Sequence, residues 1–148
     1  MQYWKFTAIE RLRDYEAIKA SIQNLADEIA TIESEARSIK SATTDGVAVA
    51  GGGSGREERL LSSIVKREEL AELLFRAKKT VRRVERGMEV LNEEEKHILN
   101  VMYIRPENPH PVEQLRMEYH YEENKSVYRK VDKAILHFTK AMYGCTES

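Results

Sequence analysis

The stretch YEAIKASIQNLADEIATIESEARSI, Tyr15 to Ile39, sets Tyr15, Ile18, Ile22, Leu25, Ile29, Ile32, Ala36 and Ile39 at alternating spacings of three and four. Residues so spaced share one side of an α-helix and keep a single seam toward a partner, as in a coiled coil. The pattern predicts a helix from about Thr7 to Ser41, roughly 50 Å long.

A second series follows the same rule: Leu70, Leu74, Ala77, Val81, Val84, Met88 and Leu91, extended upstream by Leu60 and Ile64. Between the two lies SATTDGVAVAGGGSGRE, whose glycines stop helix propagation and whose length is ample for reversing the chain. The expected fold is therefore all-α: a long antiparallel, coiled-coil-like helical hairpin over residues 1–91, with a Gly-rich connector at about 42–56. The GGGSG of the connector, Gly51 to Gly55, lacks the GK[ST] of a nucleotide-binding loop and follows a helix rather than a strand, so a flexible tether is favoured. An engineered linker is equally compatible with it.

Pairing two such helices leaves an apolar edge uncovered, because roughly three apolar positions per heptad recur in Leu60, Leu61, Ile64 and Val65 and again in Leu70, Leu73, Leu74 and Phe75. A homo-oligomer, with a dimer favoured, would bury that edge. The same residues could instead pack on the carboxy-terminal part.

Charge is segregated despite a formal net value of −1. Asp14, Glu16, Asp27, Glu28, Glu33 and Glu35 make the first helix acidic, whereas Arg76, Lys78, Lys79, Arg82, Arg83 and Arg86 crowd the second. Complementary solvated faces of paired helices are the favoured reading, ahead of a DNA-binding stripe.

After Leu91 the pattern shortens. Asn92 before Glu93, Glu94 and Glu95 has the form of a capping box at a helix start, with the acids at the positive end of the helix dipole. The helix carries Ile98, Leu99, Met102 and Tyr103 until Pro106, Pro109 and Pro111 interrupt it. A short helix over about Val112 to Tyr119, a turn at HYEEN and a last helix from near Asn124 to Tyr143 complete residues 92–148. This is the order of a helix-turn-helix domain.

At about 100° per residue, Val127, Val131, Ala134, Ile135 and Phe138 of the last helix share one side. Lys125, Arg129, Lys133 and Lys140 fall opposite, with Ser126 and Tyr128 at the margins. A recognition helix needs this division, since one face anchors it and the other reaches base edges and phosphates. Arg129 suits a two-pronged contact to guanine; Lys125 and Ser126 suit base or phosphate contacts near the amino end; Lys133 and Lys140 suit the backbone. Tyr128 fits a thymine methyl or a phosphate, or partial core packing. Gln114 and Arg116 on the preceding helix are candidate phosphate anchors. Leu136 projects on the basic side, which suits a protein contact. Without the preceding helix and turn, a lysine-rich solvated face would be the better reading.

The segments LNEEEKHILNVMYI and VEQLRMEYHYEENKSVYRKVDKAILHF resemble the carboxy-terminal promoter-reading module of sigma factors. They look still more like the RinA/ArpU-type late transcription regulators and sigma-like positive control proteins of phages of Gram-positive bacteria. The likeness to the sigma module covers about Leu91 to Tyr143, and some phage relatives also share a helical region with a similar connector. The resemblance implies DNA binding through the final helix and contact with RNA polymerase. His120 departs from it, standing where such motifs usually place a turn glycine, and Tyr121 to Val127 is one residue longer than the common spacing.

Other chemistry has little to draw on. One cysteine, Cys145, and four scattered histidines offer no metal-ligand spacing, and no nucleophile–histidine–acid set is evident, so neither cofactor nor metal nor enzyme activity is expected. No apolar run approaches the roughly 20 residues of a membrane span, and MQYWKFTAIERLRDYE lacks a signal-peptide centre. The expectation is a cytoplasmic regulator in a bacterial host cell that binds double-stranded DNA. Two alternatives remain: a small terminase subunit recognising phage DNA for packaging, and a helical scaffold or adaptor that does not bind DNA.

Overall fold

The structure is a computed structural model that describes residues 3–44 and 53–145. Among the described residues it is all helical: α1 (Tyr3–Thr44), α2 (Gly53–Glu89), α3 (Glu93–Leu99) running into a π-helical turn (Asn100–Ile104), α4 (Pro111–Glu118) and α5 (Asn124–Tyr143). No helix among these residues is long and apolar enough to cross a membrane. The connector expected at about 42–56 is shorter at both ends, because α1 continues to Thr44 and α2 begins at Gly53. Glycine weakens a helix mainly in its interior, so Gly53 and Gly55 are tolerated in a first turn. The rest of the connector, 45–52, lies outside the described residues.

The chain divides into two compact units, Met1–Lys19 with Lys79–Ser148, and Ala20–Lys78. The change of sequence pattern at Leu91 follows the order of the chain, whereas these units follow its packing. In the Ala20–Lys78 unit, Ile32 is buried and Ile22, Leu25, Ile29, Ala36 and Ile39 are half-buried, so the heptad seam of α1 does face inward. Arg67 Nε donates to Glu33 Oε1 at 2.6 Å across the pair of helices. Leu61, Ile64, Val65, Leu73 and Phe75 of α2 stay exposed.

The other unit holds the main core. Ala8 and Leu12 of α1, Val84 of α2, Leu91, Ile98 and Leu99, Val101, Leu115 of α4 and Val127, Val131, Ala134, Ile135 and Phe138 of α5 form one buried cluster. The stripe expected on α5 is thus its core face, and Thr139 joins it by returning its hydroxyl to the Ile135 carbonyl at 2.6 Å.

Short-range chemistry sets the elements around this core. The Asn92 side chain accepts from the Glu95 amide at 2.8 Å and Glu95 accepts from the Asn92 amide at 3.3 Å, completing the capping box that starts α3. The helix widens over Asn100–Ile104, where the Arg105 amide reaches back five residues to the Asn100 carbonyl at 2.9 Å. Pro106 ends it by pushing Arg105 out of helical geometry, and Arg105 then grips Glu16 of α1 with two hydrogen bonds, at 3.1 and 3.3 Å. Pro111 opens α4, where a missing amide proton is harmless.

Candidate nucleic-acid interface

The connection from α4 to α5 is set by one residue in the left-handed region. His120 has φ 56°. The Tyr121 amide bonds the Arg116 carbonyl at 3.0 Å and the His120 amide bonds the Met117 carbonyl at 3.3 Å. These are the two crossed bonds of a Schellman helix ending, in which glycine usually occupies the left-handed position. The glycine expected from the sigma-like pattern is therefore replaced by histidine without loss of the turn. α5 then starts at Asn124 and packs on α4 and α3.

On α5 the charged groups fall into two sets. Those at the edges of the buried stripe are held within the molecule. Lys130 pairs with Glu94 of α3 and lies over the rings of Tyr119 and Tyr121, 5.7 and 5.9 Å from their centroids. The adjacent Glu94 carboxylate raises the Lys130 pKa. Asp132 pairs with Lys5 of α1, and His137 Nδ1 lies 2.9 Å from Glu95 Oε2.

Lys125, Arg129, Lys133 and Lys140 form the other set. All are exposed, and none of their side chains has an ion pair, hydrogen bond or ring contact among the described residues. They recur on the side opposite Val127 and Phe138, as about 100° per residue requires. Tyr128 is 57% exposed beside them, which places its ring outside the core. Ser126 is half-buried near the start of the helix, and Leu136 is half-buried among the basic residues.

Gln114 and Arg116 are placed differently. Gln114 donates to Glu118 at 2.9 Å, and Arg116 pairs with Glu113 at 3.2 Å while reaching the Tyr121 carbonyl at 3.5 Å. Both brace α4 and its turn. The Gln114 amide and then His97, 2.7 Å away, hold the Glu118 carboxyl below its usual range.

The basic cluster on α2 does not meet the acids of α1 as expected. Arg76 pairs with Glu72 of its own helix at 3.0 Å, and Lys79, Arg82, Arg83 and Arg86 are exposed and have no ion pair among the described residues. The reason is rotational: Ala77, Val81 and Val84 take the inward side of α2, which turns these cations outward.

Lys130 with Glu94 is one of the pairs that sequence reasoning missed. Its signal was weak but present, since Lys130 lies at the edge of the apolar stripe, where a long stem can pack while its head finds an anion. Comparisons with protein-family models, with curated proteins and with solved structures match nothing to this chain.

Proposed function

We propose that the chain is a noncatalytic, sequence-specific DNA-binding regulator of transcription, of phage or prophage type, in which α4, its turn and α5 act as a helix-turn-helix. In this reading it is an activator working with RNA polymerase in the cytoplasm of the bacterial host. One observation carries the reading: among the described residues, the four cations on one face of α5 have no side-chain partner, whereas Lys130, Asp132 and His137 on the same helix do. Unpaired, convergent cations on a helix anchored from behind suit phosphates and guanine edges.

Arg129 is the residue for base contact, with Lys125, Ser126 and the exposed Tyr128 beside it. Lys133 and Lys140 meet the phosphate backbone. Gln114 and Arg116 act by bracing the turn that presents α5, rather than as free phosphate anchors.

The exposed Leu61, Ile64, Val65, Leu73 and Phe75 support a homo-oligomer, with a dimer placing two reading helices on two half-sites. That edge equally favours a second reading, a terminase small subunit, which differs in forming a ring. The mass of the protein in solution separates a dimer from a ring of eight or more.

The decisive experiment is unbiased DNA-site selection at moderate salt with the wild-type chain and Arg129→Ala. The wild type should enrich a defined site and the variant should lose or change it. Enrichment of no site by the wild type would leave the scaffold reading in its place.

A further inference from the structure

A cleft of about 190 Å³ opens where the first turns of α1, the middle of α2's last third and the end of α5 meet, all within one compact unit. One wall is aromatic: Trp4 packs on Tyr143 with ring centroids 4.9 Å apart and planes at 35°, and Tyr3 meets the edge of Trp4 at 4.8 Å and 76°. Tyr3 is itself more than half exposed. Arg11 of α1 and Thr80 and Arg83 of α2 also line the cleft.

Two arginines give the cleft positive charge. Among the described residues, no carboxylate lines it. Elsewhere among the described residues of the same unit, Lys5, Lys96, Arg105, Arg116 and Lys130 each rest on an aspartate or glutamate, whereas the outward cations of α2 and α5 do not. Among the described residues, Arg11 and Arg83 have no such partner, and the Thr80 hydroxyl has no hydrogen bond. Two guanidiniums brought to one small cleft repel each other, and an anion between them relieves that cost while accepting their fork-shaped hydrogen bonds.

We propose that this cleft binds a nucleotide, with Arg11, Arg83 and the Thr80 hydroxyl on its phosphate and the base against the Tyr3–Trp4 wall. The volume lies below the roughly 300–1,000 Å³ of a site that encloses a drug-sized molecule, so the cleft takes a phosphate and a ring edge while the remainder stays outside. An aromatic wall beside a cationic floor is the arrangement by which proteins hold single nucleotides or unstacked bases of a strand. The site uses none of the α5 residues assigned to duplex DNA and stands apart from that reading.

Trp4 is the sole tryptophan of the chain, so intrinsic fluorescence excited at the red edge reports on the cleft alone. The full chain is titrated with adenosine monophosphate, adenosine, phenyl phosphate and a short single-stranded oligothymidylate, with calorimetry as a second readout. A saturable Trp4 change is expected with the monophosphate, the oligonucleotide or both. The monophosphate alone assigns a free nucleotide, and the oligonucleotide alone assigns a strand. Arg11→Ala and Arg83→Ala should each weaken the binding about tenfold or more, with Arg83→Lys recovering part of it. Both arginines are exposed, and unchanged melting curves will show that the variants fold. Arg129→Ala should leave the monophosphate response intact, which separates this site from α5. No saturable response to either nucleotide probe overturns the proposal. So does adenosine or phenyl phosphate binding as tightly as the monophosphate, or affinity unaltered in both arginine variants.

Discussion

A methyl group added to Gly87 would lie 2.8 Å from Phe138 Cε2 and 3.2 Å from both Cγ and Sδ of Met142. The backbone of α2 therefore approaches α5 as closely as the absence of a side chain permits, against a ring that is fully buried. Gly87→Ala sets two effects against each other. Helix propensity gains about 1 kcal/mol, and overpacking a filled core loses about 1–3 kcal/mol. Phe138 has no space to retreat into, so a net loss of about 1 kcal/mol is expected. A fall in the urea midpoint at unchanged slope is the check.

His120→Gly should act in the opposite direction. A non-glycine residue in the left-handed region costs about 1–2 kcal/mol, and glycine gives back about 0.5–1 kcal/mol through its freer unfolded chain. A gain of about 0.5–1 kcal/mol in chemical denaturation follows, with the fold of α4 and α5 unchanged. A loss of stability would mean that the imidazole makes an interaction that outweighs the strain of φ 56°.

Leu12→Ala tests whether α1 belongs to the carboxy-terminal core. Leu12 is 0% exposed within the cluster that includes Leu99 and Phe138. Removing its side chain should cost about 2–5 kcal/mol, depending on how far the core collapses. If helices 92–148 formed a self-sufficient domain, the variant would leave their unfolding transition untouched, as followed by amide exchange at Val131 and Ile135.

Arg129→Ala and Lys133→Ala should separate base reading from phosphate contact. On the selected DNA site, loss of Arg129 should weaken binding by about 1–3 kcal/mol and relax the preference at one base position. Loss of Lys133 should weaken all sequences alike and lower the salt slope by about 1. Equal effects of both variants on specific and unrelated DNA would remove Arg129 from its assigned role.

The expectations that rest on neighbours along the chain agree with the structure. Heptad spacing places the seam of α1 inward, the Asn92–Glu95 box starts α3, proline ends the π-helical turn, and the buried stripe of α5 runs through Val127, Val131 and Phe138. All depend on hydrogen bonds and side-chain directions repeating every few residues, which sequence spacing encodes directly. The exposed cations of α5 belong to this class, because fixing the inward stripe also fixes the outward one.

Contacts between residues far apart in the chain had at most a weak signal of this kind. That Ala8 and Leu12 enter the same core as Phe138, that Gly87 lets two helices touch, that Lys130 rests on Glu94 and that Arg11 and Arg83 share a cleft with Trp4 were decided only by how the helices pack. The sequence by itself determined the helices and which side of each is apolar. The tertiary structure decided which apolar sides meet, and so which charges find a partner within the molecule and which remain unpaired.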